Sequence, residues 1–540
     1  MTRLACLALL AAASVLPAAE FGLMQNMDGD LSFTGATPEL SVTKLLQLID
    51  DTADVGVNTL MQSIGAGSDI LYYPTKVAST WGWRETKYSD DPRWKVRIQR
   101  CRTATDAGLD APRIAGERCR ERGLKFFPSY RMNDAHYCSD PLNYPLTGRF
   151  WMEHQDATIG VSPVAGHEPY RHLLNFARAD VRAYRLAVIF EAIDRYADLM
   201  DGFELDFNRF QIFFPPGEAE ANAHHITDFV RQVRSRLDQL AKQRGRQMTL
   251  VARVPPTLAN CRWSGLAVAD WMQEGLVDVV IPAQVMTLSH DMPIDEFVAA
   301  AKGTYCQIYG SIYGRSGYNW PFNISHDTAA YAAEVTRTPD TAQIFGAVLN
   351  QLHLGAGGIQ LYNFDFLQSP MMTQVTAGLN DPAAILKGNR RYQVTQAYFK
   401  DHENGYEYRK QLPAALQPGK PLTLRLLIGE DLVKSAPAYA GLRIGLHGAN
   451  QSYAGTSLTV HLNGRVLHEG AAGQHLIVTK GVRHGGGSHP PATEAHAQWP
   501  LADLSLLRAG WNDLTITLTS APGAAGLQCV EAEIGVIQAP

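Results

Sequence analysis

The sequence predicts an α/β protein, an eight-stranded (β/α)8 TIM barrel followed by a C-terminal antiparallel β-sandwich. Three observations carry this expectation. Between about residues 40 and 375, short apolar runs alternate with helical stretches in the pattern of parallel βα units, and the runs number eight. After about residue 385 the helical period disappears, and strand-length segments separated by Gly, Asn and Pro replace it. A chain of 540 residues with 46% hydrophobic residues is long enough to divide into separate cores. The expected division is a signal peptide over 1–19, the barrel over 20–384 and the sandwich over 385–540.

The eight expected barrel strands are 57–64, 124–130, 173–177, 202–207, 248–253, 277–283, 305–312 and 358–363. The helices between them carry end signals. Asp110 and Pro112 open one that Gly123 closes, and Asp180 begins an amphipathic stretch that runs to Met200. Gly245, Gly275 and Gly303 stand where helices hand over to strands. Neither GxGxxG nor GxxxxGK[ST] follows the first run, which disfavours a nucleotide-binding sheet, and no cofactor is expected. Sandwich strands are expected at 422–427, 442–447, 458–462, 514–518 and 530–537, with an exposed loop at 481–491.

Arg3, the apolar run 4–16 and the small residues Pro17, Ala18 and Ala19 have the layout of a secretory signal peptide, so a secreted or periplasmic protein is expected. No later run is long and apolar enough for an integral membrane segment. Six cysteines remain after residue 19: Cys101, Cys119, Cys138, Cys261, Cys306 and Cys529. Export permits disulfides, and the first three are close enough in sequence for a local bridge. Their spacing matches no zinc motif, so free or structural thiols and no metal site are expected. A net charge of −5 supplies no basic stripe for nucleic acid.

In a barrel the reacting groups come from the C-terminal ends of the strands and the loops that follow. The segment Asp201-Gly202-Phe203-Glu204-Leu205-Asp206-Phe207-Asn208-Arg209 places Glu204 and Asp206 on one face, opposite Phe203, Leu205 and Phe207. With the apolar face against helices, both acids point into the barrel. Two buried carboxylates need cations or a catalytic use, and an ion pair of Glu204 with Arg253 or Arg131 is the structural alternative. The run at 124–130 opens into Arg131, Asn133, Asp134 and His136, a polar cluster suited to sugar hydroxyls, although a turn also accounts for Asn133 and Asp134. Other strand ends add Arg209, Arg253, Gln284, His290, Asp291, Tyr313, Arg315, Tyr362, Asn363 and Asp365, and Tyr72, Tyr73, Trp81 and Trp83 follow the first run. Aromatics beside Arg, Asn and Asp suit sugar rings, whose faces stack while their hydroxyls need directional partners. The partner expected from these residues is a polysaccharide or oligosaccharide.

The segments DGFELDFNRF, SYRMNDAH and GGIQLYNF resemble the glycoside-hydrolase-like barrels related to family 10 in secreted bacterial proteins, over most of residues 40–375. The same strand is similar to the DxxDxDxE signature of family 18 chitinases. Asp201, Glu204 and Asp206 fall on its first three acidic positions, and Asn208 stands where that family has its catalytic acid. The segment 305–315 also lacks the glutamate that follows strand seven in family 10. The resemblance implies the barrel and a glycosidase.

Glycoside hydrolysis needs two carboxyl groups, about 5 Å apart for retention or about 6.5–9.5 Å for inversion. Glu204 and Asp206 face the same way from one strand, so Asp206 is expected to act as nucleophile or base with an acid from another strand. Asp291, its pKa raised by burial beside apolar groups, comes first, then Asp134 and Asp365. Convergence of Arg131, Arg209, Arg253 and Arg315 would favour an anionic glycan. The rival expectations are a catalytically silent carbohydrate-binding barrel, a metal-dependent hydrolase or deacetylase ligating through Asp134, His136 and Asp206, and a structural envelope protein.

Overall fold

The computed structural model describes residues 22–29, 35–285, 287–314, 339–362, 364, 370–395, 411–449, 453–467, 475–478, 495–523 and 526–538. Arg315, Asn363, Asp365, the expected signal segment and the loop 481–491 lie outside the described residues.

The barrel strands are β1 (Leu23–Met27), β2 (Thr59–Ser63), β3 (Lys125–Arg131), β4 (Gly202–Asp206), β5 (Thr249–Val254), β6 (Val279–Pro282), β7 (Gln307–Ile308), β8 (Gly310–Tyr313) and β9 (Ile359–Tyr362), all paired in parallel. Their order is β7-β6-β5-β4-β3-β2-β1-β9-β8. The segments β7 and β8 form one pass of chain that switches partners at Tyr309. Tyr309 N donates to Val280 O on one side (3.0 Å) and Gly310 N to Gly358 O on the other (2.8 Å), which closes the ring as eight passes.

Two strand expectations are corrected. The apolar run 173–177 forms no strand, and Leu174 makes only an isolated bridge to Thr158. Its leucines are buried beneath an irregular connection, which apolarity alone does not distinguish from a strand. Leu23–Met27, on the other hand, pairs with both β2 and β9 and is the first strand. The two corrections offset each other in the count, so Gly202–Asp206 is still the fourth pass, whereas Lys125–Arg131 becomes the third.

Helices α1 (Pro38–Asp54), α2 (Pro92–Asp106), α3 (Ala111–Arg122), α4 (Ala179–Tyr196), α5 (Ala219–Arg244), α6 (Val268–Gln273), α7 (Ile294–Ala300) and α8 (Thr341–His353) lie among the strand connections. The cap reading holds for α3: Asp110 accepts from Arg113 N, and Gly123 takes the left-handed φ of +73° that a side chain with a Cβ disfavours. Phe203, Leu205 and Phe207 enter one apolar core with Ile189 and Ile193 of α4, Val230 and Val233 of α5, and Trp271 of α6. Strand alternation then turns Glu204 and Asp206 into the lumen. The base of the lumen is filled by Met24, Met61, Phe127, Val251, Val279, Ile281 and Tyr309.

The C-terminal strands are β10 (Arg390–Thr395), β11 (Ala414–Ala415), β12 (Pro421–Ile428), β13 (Tyr439–His447), β14 (Ser457–Leu462), β15 (Arg465–Val466), β16 (His475–Val478), β17 (Ala495–Pro500), β18 (Gly510–Ser520) and β19 (Gln528–Ile537). They build two antiparallel sheets, β10-β19-β13-β17-β16 with β11 on β19, and β12-β18-β14-β15. Helix α8 joins the two units. Ile344, Phe345, Val348 and Leu349 share a core with Tyr392, Leu424, Leu426 and Ile428. A Cβ on Gly346 would lie 1.9 Å from Arg391 O, so helix and strand backbones meet where only glycine fits. A buried ionic network lines the same seam: Arg391 pairs with Glu533 and with Asp340 (2.8 Å each), and Arg443 pairs with Glu533 (2.7 Å). All six described cysteines are free and buried, so the local bridge does not form. Among the described residues, no helix is long and apolar enough to cross a membrane.

Candidate active site

Above the apolar base, the lumen becomes polar in two levels set by strand register. Ser129 pairs with Glu204, and one level higher Arg131, Asp206 and Arg253 stand side by side on β3, β4 and β5. Glu204 is fully buried and reaches across the barrel: Asn26 Nδ2 of β1 donates to Oε2 (2.5 Å) and Gln360 Nε2 of β9 to Oε1 (2.7 Å). Burial first, and the Asp206 charge second, raise its carboxyl to about 7. The expected ion pair with Arg253 or Arg131 is not what holds Glu204, because Arg253 serves Asp206 and Arg131 serves Asp28 and Asp134.

Asp206 is 1% exposed. Its Oδ1 accepts from Asn208 N (2.9 Å) and Arg253 Nη1 (3.1 Å), while its buried Oδ2 has no hydrogen-bond partner among the described residues. The Arg253 guanidinium carbon lies 3.7 Å from the centre of the Tyr362 ring, and Tyr313 stacks on Tyr362 with centroids 5.8 Å apart. The buried Tyr362 hydroxyl also has no hydrogen-bond partner among the described residues. Burial and the Asp206 charge push that phenol up, while Arg131, Arg209 and Arg253 pull it down. Arg131, Arg209 and Arg253 thus all lie within electrostatic reach of Tyr362, with Arg253 in contact with its ring.

At the neighbouring strand end, Arg131 Nη1 donates to Asp134 (3.2 Å) and Nη2 pairs closely with Asp28, which follows β1. Asp134 also accepts from His136 N (2.9 Å) and closely from His136 Nδ1. Burial opposes its ionisation, yet His136, Arg131 and Arg209 hold its carboxyl well below the usual carboxylate range. An ionised acceptor requires a proton on His136 Nδ1, which leaves Nε2 facing Arg209 Nη2 at 3.3 Å.

Other expected residues fall elsewhere. Asn133 is buried and engaged within the protein: its amide donates to Leu174 O (3.1 Å) and Ile212 O (2.7 Å), so it ties loops together and leaves no hydrogen for a sugar. Asp291 is half-buried at the sandwich seam, accepting from Ser289 Oγ (3.3 Å) and Gln411 Nε2 (3.4 Å), a polar setting unlike the expected apolar one. His290 is buried at the same seam. Gln284 is half-buried beyond the end of β6. Asp201 sits at the other end of β4, accepting from Phe126 N (3.0 Å) and paired with Arg246. Asn208 donates to Ala283 O (2.6 Å) and accepts from Gln211. Of the early aromatics, Tyr72 feels the charges of Arg131, Asp28 and Asp134, whereas Tyr73 packs on Tyr196 and Trp81 on Trp94.

Sequence reasoning missed Asp28 and Asn26 because it missed β1. Gln360 was within reach, since it alternates with Tyr362 on one face of GGIQLYNF.

No protein-family model matches the chain, and no curated protein matches it significantly. Among solved structures, the chain is similar to the glycoside hydrolase domain of PgaB (BpsB) from Bordetella bronchiseptica, with TM-score 0.42 and 14% identity over 66% of this chain and 98% of that one. It is also similar to a family 18 N-acetylglucosaminidase from Paenibacillus barengoltzii, with TM-score 0.37 and 11% identity over 67% of this chain and 99% of that one. A cycloisomaltooligosaccharide glucanotransferase from Paenibacillus sp. aligns over 95% of this chain, which spans 57% of that enzyme's length, with TM-score 0.34 and 10% identity. At these scores the neighbours lend no weight to the fold, which rests on the strand pairing, nor to the chemistry.

Proposed function

We propose that this chain is a secreted glycoside hydrolase that cleaves a polysaccharide or oligosaccharide at the mouth of its barrel. The observation that carries this reading is Asp206, a buried carboxylate at the C-terminal end of β4 with one oxygen oriented by Arg253 and the backbone and the other without a partner. A desolvated, oriented carboxylate oxygen suits a nucleophile or general base. Glu204, clamped by two amides one level deeper, positions Asp206 electrostatically and does not flank a bond with it. The second carboxylate in this reading is Asp28. It follows β1, three strand steps around the ring from β4, so the pair can face a glycosidic bond from opposite walls. Tyr362 and Tyr313 offer stacking surface for the sugar, and Arg131 and Arg253 hold the two acids in place. Export is supported by Arg3 and the run 4–16.

One observation favours the silent-barrel reading: Asn208, at the position of the family 18 acid, is tied to Ala283 and Gln211. The metal-dependent reading has less support, since among the described residues no group of three or more His, Cys, Asp or Glu is placed to hold a metal ion. The test is reducing-end release from neutral, amino, uronic and sulfated polysaccharides by the protein, its Asp206→Asn and Asp28→Asn variants, and a chelator-treated sample. Chelator-resistant release that falls at least about 10³-fold in Asp206→Asn, with unchanged circular dichroism, supports the assignment. Retained activity in Asp206→Asn overturns it, and binding without release by every protein selects the silent barrel.

A further inference from the structure

Arg209 has no place in the chemistry above, and its surroundings are unusual for a cation. It is 9% exposed, and no carboxylate lies within ion-pair distance of it among the described residues. Its polar contact is Nη2 to His136 Nε2 at 3.3 Å, and its buried Nε has no partner among the described residues. The other two mouth arginines are matched, Arg131 by Asp28 and Asp134, and Arg253 by Asp206. A buried guanidinium without a counter-ion is costly and is usually relieved by a carboxylate nearby. The acids whose charges reach it, Asp28 and Asp134, are already engaged, Asp28 by Arg131 and Asp134 by Arg131 and His136.

We infer that Arg209 is an anion-recognition subsite completed by the substrate: the glycan carries a carboxylate or sulfate on the sugar seated beside Asp206. The inference rests on the glycan-binding part of the proposed function and adds the charge of the substrate to it. A planar guanidinium fork with a free Nε edge matches two oxygens of such a group, which a neutral hydroxyl does not. His136, anchored through Nδ1 by Asp134, holds the Nη2 corner of the guanidinium in place. Arg209 follows Asp206 by three residues beyond the end of β4 and touches His136, whose anchor Asp134 is paired with Arg131, the register neighbour of Asp206, so an anion held by Arg209 lies on a sugar beside that carboxylate.

The test uses the full-length protein with matched oligosaccharide series, each neutral member compared with its uronate and its sulfate ester. Binding is measured by calorimetry and reducing-end release in the same samples. The expected result is that an acidic member binds at least tenfold more tightly than its neutral counterpart, that Arg209→Gln brings this ratio close to one, and that Arg209→Lys retains part of it. The uronate and sulfate arms show which anion is recognised. The melting temperature separates recognition from a structural role, because a guanidinium with no ion pair of its own among the described residues leaves stability little changed when Gln replaces it. No preference for any acidic member, a preference that survives Arg209→Gln, or a large loss of stability in that variant overturns the inference. Charge preference without hydrolysis keeps the subsite and removes the glycosidase reading, whereas hydrolysis without charge preference does the reverse.

Discussion

Replacing Glu204 with Gln tests the polar lumen through its dependence on pH. Burial and the Asp206 charge raise the Glu204 carboxyl from its ordinary 4.5 to about 7. Between those values the folded protein holds a proton that the unfolded chain has released, so this group's contribution to stability is complete below pH 4.5 and is lost as pH rises through 7. A shift of that size corresponds to a swing of about 3 kcal/mol. Glutamine is isosteric and does not titrate. The unpartnered Oε1 of Gln360 can accept from the new amide if that side chain turns over, so the cavity still satisfies it. Unfolding of the wild type and Glu204→Gln, followed by tryptophan fluorescence in urea at pH 4.5, 6 and 7.5, should show the variant gaining on the wild type by up to about 3 kcal/mol across the series. Groups remote from Glu204 are common to both proteins and cancel in the difference. Parallel curves, with a difference constant to within about 0.5 kcal/mol, would refute the reasoning.

His290 should show the opposite sign. Burial, then Arg391, lowers its ring to about 3, so its contribution is complete above the ordinary 6.5 and is lost as pH falls, by about 2 kcal/mol at pH 5. His290→Asn should therefore flatten the acid limb of a melting-temperature profile between pH 6.5 and 4. Gly346→Ala should cost at least about 2 kcal/mol and lower the melting temperature, because the added methyl meets the Arg391 backbone at 1.9 Å and α8 cannot withdraw without opening the seam with the sandwich. Asp206→Asn should lower the Glu204 carboxyl by part of its shift, since burial is the larger cause, and a pH-difference curve as above would show a smaller swing.

Much of the architecture was legible in the residues. The period-two alternation of GFELD against an apolar outer face placed Glu204 and Asp206 in the lumen, and Asp110 and Gly123 bounded α3 because capping chemistry is local. Local patterns fail where burial has another cause. Leu173 and Leu174 are as apolar as a strand and lie in an irregular segment, while Leu23, Met24 and Met27 of LMQNM neither alternate nor form a continuous run, so they do not announce the strand that completes the ring.

What Asp206 and Glu204 do was decided by the tertiary structure. The amides that clamp Glu204 lie 178 and 156 residues away along the chain, on strands brought opposite by barrel closure. The same closure gave Asp28 and Arg131 a common mouth, and among the described residues it left Arg209 without a carboxylate in ion-pair contact. Residue order determines which face a side chain takes on its own strand, because alternation and capping are properties of a few neighbouring bonds. Which charge is matched and which is left open depends on register and closure across the whole ring, because Coulomb and hydrogen-bond partners are chosen by distance in space.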